Sequence, residues 1–190
     1  MLEKIHGAVG EALSGLKAGR EKTACHATFA DVPASLVLTS PAFAEGAELP
    51  ARFTADGEGL SPPLAWSNLP AGTAALVVLV EDAGSPTPQP LVHLILWSVP
   101  PDVSEIREGA LPSPGHPETD TAVGRNSFLR AAWLPPDPPT GHGSHEYVFQ
   151  IYALRKALTL SESPGRSALL EAMRGQVLAK GLLTGSYHRS

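Results

Sequence analysis

Two runs of branched apolar residues constrain this chain more than any other feature. They are "AALVVLVE", ending at Glu81, and "LVHLILWSVP", running from Leu91 to Pro100. Neither alternates apolar with polar residues, so both fit central strands buried on both faces. The segment between them, "DAGSPTPQP", has no helical periodicity. A βαβ plan is therefore excluded, because its parallel strands need a helical crossover. The chain reads as mostly β, with few peripheral helices. Its 18 glycines and 19 prolines in 190 residues agree with a fold rich in ordered turns. That share falls short of the level that marks a disordered chain.

The length suits one domain plus a terminal extension, with a core that needs no staples. Leu2, Ile5, Val9, Ala12, Leu13 and Leu16 recur at helical spacing. They predict an amphipathic helix over residues 2–18, ending near Gly19. The plainer reading docks this helix on its own domain, and the sharper one makes it a homodimer contact. Residues 1–34 are expected to form this helix and a linker, and 35–190 the main domain.

Within that domain, "SLVLTSPAF" predicts a short strand stopped by Pro41. Residues from Leu49 to Thr73 read as a long turn-rich segment anchored by Trp66, and 101–125 as surface loop. Asp102, three residues before Glu105, reads as the cap of a helical turn. A strand is expected from about Tyr147 to Leu154. "SESPGRSALLEAMRG" predicts a helix capped by Ser163, with Pro164 at its first position and Gly175 beyond its end. "QVLAKGLLTGSY" closes the chain as a strand.

The formal net charge of −5 argues against nucleic acid as a partner. The single cysteine, Cys25, excludes an internal disulfide. The N-terminus lacks an uninterrupted apolar h-region, and no apolar run approaches membrane-spanning length. The expected location is cytoplasmic, with no integral membrane segment.

The chemistry concentrates around the two runs. Asp82 ends the first, and His93 interrupts the second between Val92 and Leu94. A charged ring is costly to bury, so His93 needs a partner. "PPDPPTGHGSHEYVF" places His145 where a proline-rich loop enters a strand. Strand alternation sets Tyr147 on the same face. Were the strands of His93 and His145 neighbours, Asp82, His93, His145 and Tyr147 would converge. Such a group could donate hydrogen bonds to a phosphate-sized anion, with Asp82 orienting and charging an imidazole.

Three other chemistries are weaker. A metal site from His93, His142, His145 and Asp82 matches no strong ligand spacing, and His142 between two glycines reads as solvent-facing. A serine hydrolase lacks the G-x-S-x-G elbow. "GHGSHE" has glycines but runs into a strand, unlike a nucleotide loop. Trp66, Trp97 and Trp133 read as core or cleft wall, and Asp56 as turn chemistry. The elbow Pro135 to Pro139 suits a stiff pocket rim as well as any tight crossover.

Taken in order, "TADGEGLSPPLAWSNLPAGT", "EDAGSPTPQPLVH" and "GHGSHEYVFQIYAL" resemble the phosphatidylethanolamine-binding protein family. This family includes Raf kinase inhibitor protein and the plant flowering regulators. The resemblance is nearest to the bacterial and archaeal members and covers roughly residues 36–187.

It implies a β-sandwich or large central sheet with a small anion pocket at one end. The ligand would be a small phosphate- or carboxylate-bearing molecule, with no cofactor and no metal. The family's "DPDAP" motif falls on Asp82 to Pro86, its strand histidine on His93, its "HRY" on His145 to Tyr147, and its proline pair on Pro138 and Pro139. The implied ligand-binding residues are thus Asp82, Pro86, His93, Pro138, Pro139, His145 and Tyr147. Gly84 replaces the motif's second acid and Glu146 its arginine. A roomier, less acidic pocket is expected near Gly84, and a repelling charge near Glu146.

The expected function is a non-enzymatic binding module that regulates a kinase or protease partner. The alternative is a hydrolase or isomerase using His93 or His145 as acid–base group, with Asp82 as orienter.

Overall fold

The computed structural model describes residues 12–13, 15–111, 122–160 and 163–189. The two apolar runs form β3 (Ala75–Asp82) and β4 (Leu91–Val99). With β6 (His145–Leu154) and β7 (Val177–Tyr187) they build an antiparallel sheet in the order β4-β3-β6-β7. A smaller antiparallel sheet contains β1 (Val37–Thr39), β2 (Leu64–Ser67) and β5 (Glu105–Ile106), in the order β1-β2-β5. Two of these strands have no counterpart among the expected elements. β2 lies inside the turn-rich segment, and Glu105 opens β5 in place of the expected helical turn. Both are too short to carry a readable period.

The inner face of the large sheet packs on the small sheet through Leu38, Trp66, Val78, Val80, Leu96, Phe149 and Ile151. The outer face carries Val77, Leu79, Ile95, Val148 and Tyr152 against two short helices. These are α1 (Ala24–Ala27) and α2 (Arg166–Met173). The central strands are therefore buried on both faces, as their continuous apolar runs require.

Helix α2 starts later than its sequence predicts. Gly165, and not Ser163, is its N-cap, and no side chain caps it. Its far end follows the expected rule, since Gly175 adopts φ 68°.

Most of the helix expected over 2–18 lies outside the described residues. Ala12 and Leu13 are helical, Gly15 is in a turn, and Leu16 to Gly19 have left the helix. That stretch runs along the main domain, with Ala18 N–H donating to Ser85 O at 2.7 Å and Gly19 N–H to Ala83 O at 2.9 Å.

Buried polar groups tie the outer helices to the large sheet. Lys180 Nζ, on β7, donates to the carbonyls of Cys25, Phe29 and Ala30, within α1 and just past its end. Glu81, fully buried on β3, accepts from Ala24 N–H at 2.7 Å, Gln150 at 2.8 Å and Arg166 at 2.6 Å. Among the described residues no helix is long and apolar enough to cross a membrane.

Candidate functional site

The strands of His93 and His145 are not neighbours. β3 lies between them, and its last residue, Asp82, stands where both can reach it. A bulge aims His93. One step along β3, from Val80 to Glu81, spans two along β4, from Leu94 to Val92, so His93 is the extra residue. Val92 stays with the outer core and Leu94 with the inner one. His93 turns to the inner side, where its ring meets Tyr147 edge-on at 5.1 Å.

His93 Nδ1 lies 2.7 Å from the carbonyl oxygen of Leu134. A carbonyl only accepts, so Nδ1 carries the proton. Burial holds the pKa of His93 below its ordinary value, which keeps the ring neutral. Nε2 is then a bare lone pair, buried and without a hydrogen-bond partner.

His145 is bonded on both sides. Its Nδ1 lies 2.7 Å from Asp82 Oδ2, and its Nε2 lies 2.7 Å from His142 Nδ1. His142 Nε2 in turn reaches the carbonyls of Leu13, at 2.8 Å, and Leu16, at 3.1 Å. His142 is thus 2% exposed, where its flanking glycines suggested a solvent-facing ring. The sequence carries no local sign of this, because its partners lie 126 and 129 residues away.

The chain from carbonyl to carboxylate fixes a proton count. Both ends accept, and the three gaps between them need three protons. The two rings supply two, and the third lies between His145 and Asp82, so the set is neutral overall. Asp82 is thus hydrogen-bonded to the His142–His145 pair, while His93 bonds to the Leu134 carbonyl.

Neither His93 nor His145 offers a free N–H, so the expected donation from these rings is not available. Tyr147 adds a hydroxyl that is buried and unpartnered. Burial raises its pKa, so the phenol keeps its proton.

These groups adjoin a cleft of about 540 Å³. Asp82, Pro86, His93, Pro139 and His145 line it, with Ser85 and Thr87 on one wall. Leu91, Phe128, Leu134 and Pro135 make the rest of its surface largely apolar. Tyr147 lies under His93 rather than in the lining, and Pro138 is buried behind the elbow.

The two departures from the family motif act elsewhere than expected. A Cβ on Gly84 would lie 2.6 Å from the Cα of His145, so position 84 faces that backbone and leaves no extra room. Glu146 alternates away from the cleft and pairs with Arg20 at 2.7 Å.

A second cluster closes the rim. Asp56 accepts from Tyr187 Oη at 2.8 Å and from Arg189, which also binds Asp137 in the cleft wall. Asp56 was readable only as a turn former, and Arg189 gave no signal in the sequence. No lysine or arginine lines the cleft among the described residues, and its acids are Asp82, Asp137 and the exposed Glu58.

Known proteins share this architecture. The family model described as phosphatidylethanolamine-binding protein matches residues 39–188. A UPF0098 protein of Pyrococcus horikoshii is 38% identical over 152 residues, covering 79% of this chain and 75% of its own. The crystal structure of a phosphatidylethanolamine-binding protein homologue, CT736 of Chlamydia trachomatis, superposes with TM-score 0.73 at 32% identity. It covers 83% of this chain and 99% of its own. E. coli YbcL, described as a member of the mammalian family, gives TM-score 0.72 at 27% identity, covering 83% of this chain and all of its own.

Proposed function

The chain belongs to the phosphatidylethanolamine-binding protein family, and on that premise we propose a non-enzymatic binding protein for a small phosphate- or carboxylate-bearing ligand. The head group enters as a species that carries its own proton. The observation behind this reading is His93 Nε2, a buried acceptor with no partner at the cleft wall. A phosphate-monoester monoanion or a protonated carboxylic acid can donate to it, whereas the monoester's dianion, with no O–H left, cannot. The lack of a lining lysine or arginine among the described residues also disfavours a dianion. The apolar walls suit an organic remainder, and the volume falls within the range of ~300–1,000 Å³ common for small-molecule sites.

A nucleophilic enzyme would set a hydroxyl or thiol against one of these rings. Among the described residues, the hydrogen-bond partners of His93, His142 and His145 are carbonyls, one carboxylate and one another. That pattern supports binding over nucleophilic hydrolysis.

Titration with a phosphate monoester, phosphorylethanolamine, followed through histidine NMR, tests the proposal. It should run on both sides of the ester's second ionisation, near pH ~6. His93 should shift, and binding should be tighter on the acid side. An unmoved His93, or tighter binding of the dianion, would sink it.

A further inference from the structure

Beside the cleft mouth the chain displays two large apolar side chains side by side. Phe128 is 63% exposed and Leu129 is 75% exposed. They stand at the tip of "RNSFLR", between exposed Arg125 and Arg130. Leu129 holds φ 62°, a left-handed conformation that costs a branched side chain strain. We propose that this tip is a membrane-docking element, entering the interfacial region of an anionic lipid bilayer while the two arginines engage lipid head groups.

The backbone of the tip is prepared for an apolar medium. Five consecutive amides donate within the protein. Asn126 N–H binds Arg130 O at 2.9 Å, Ser127 N–H binds Val92 O at 3.0 Å, and Leu129 N–H binds Asn126 O at 2.9 Å. Phe128 N–H and Arg130 N–H both donate to Asn126 Oδ1, at 2.9 and 3.2 Å. Each N–H that enters an interfacial layer unpaired would have to be stripped of water, and these five are paired. The carbonyls of Ser127, Phe128 and Leu129 accept no hydrogen bond among the described residues, which suits the hydrated head-group layer and not the hydrocarbon core.

Asn126 Nδ2 also donates to Ala132 O, and Ser127 Oγ accepts from Val92 N–H at 2.8 Å. The tip is thus clamped to the edge of β4. Rigid projection of Phe128 and Leu129 keeps them from folding back on the protein. Exposed neighbouring apolar groups of this kind mark a contact surface.

The occupant follows from exposure and charge. The tip exposes two adjoining apolar side chains, and a fluid bilayer accepts them without a matching groove. The flanking arginines suit anionic head groups, although the chain as a whole is acidic. Phe128 also lines the cleft, so docking sets the cleft mouth at the head-group layer. The inference does not depend on what the cleft holds.

The test is co-sedimentation of the whole chain with vesicles of phosphatidylcholine, with and without phosphatidylglycerol. Wild type should pellet with the anionic vesicles at low salt and be released as salt is raised. The double variant Phe128→Ser/Leu129→Ser and the double variant Arg125→Gln/Arg130→Gln should each weaken binding about tenfold or more. All four positions are exposed, and circular dichroism checks that the variants stay folded. A Phe128→Trp variant in a Trp97→Phe background gives a second readout, since brominated lipids should quench the new indole, while Trp66 and Trp133 are buried. Failure to pellet, equal pelleting of the tip variant, or an unquenched indole would overturn the proposal. Tip-dependent dimers without vesicle binding would assign the surface to a second copy and overturn it equally.

Discussion

Asp82 Oδ2 and His145 Nδ1 lie 2.7 Å apart, and their side chains are only 4% and 2% exposed. The pair ends a hydrogen-bonded chain that begins at the carbonyls of Leu13 and Leu16. The wall of the cleft and the docking of the N-terminal segment therefore share one hydrogen-bonded chain.

Replacing the carboxylate should break that chain at its buried end. Asp82→Asn removes one partner of the buried Asp82–His145 pair, a change that typically costs about 3–5 kcal/mol. Urea denaturation should show the loss, and a value under ~1 kcal/mol would show that the pair does not anchor the chain.

His142 should matter to the N-terminal segment more than to the sheet. His142→Ala removes the bonds to Leu13 O, Leu16 O and His145. At roughly 1 kcal/mol net per bond, local opening of this segment should become about tenfold or more easier. Hydrogen exchange at the amides of Ala18 and Gly19 reads this directly, because they donate to Ser85 and Ala83. Unchanged exchange there would show that His142 does not anchor the segment.

Restoring the acid of the family motif should harm this chain. Gly84→Asp would force its Cβ against the backbone of His145. Overpacking of that kind costs about 1–3 kcal/mol. Chemical denaturation should show the variant less stable than wild type. A neutral result would mean that β6 yields to the new side chain and that the pocket retains room there.

Acid should destabilise the fold through two groups. The pKa of His93 is held below its ordinary 6.5, chiefly by burial. As pH falls through that ordinary value, the unfolded chain takes up a proton that folded His93 refuses. Unfolding then becomes easier. Stability from this group is thus full above 6.5 and declines below it. Its ring resonances should not titrate near neutrality. Asp56 behaves likewise further down, because hydrogen bonds from Arg189 hold its carboxyl below the ordinary 3.8. Its contribution is present above 3.8 and is lost as pH falls through the lowered folded value. Arg189→Gln should flatten that last part of the pH–stability curve and leave the His93 part intact.

Some of this molecule was legible in its residues alone. Continuous apolar runs demand two-sided burial, so β3 and β4 could be read as central strands with no helix between them. Gly175 announced the end of α2, because few other residues adopt its backbone conformation. Asp82, His93 and His145 stood out because ionisable groups inside apolar strands need partners. What those groups do with one another depends on contacts between distant segments. The bulge that aims His93 arises from the register of β4 on β3. The burial of His142 depends on carbonyls more than a hundred positions away. Gly84 was read as an empty place and is filled by the backbone of β6, while Glu146 faces Arg20 because strand alternation turns it from the cleft. The Asp56–Arg189 clamp joins the loop between β1 and β2 to the residues just past β7. Local periodicity records which residues must be buried. It holds no record of which partner, across the sheet or along the chain, satisfies them, and that was decided only when the strands packed.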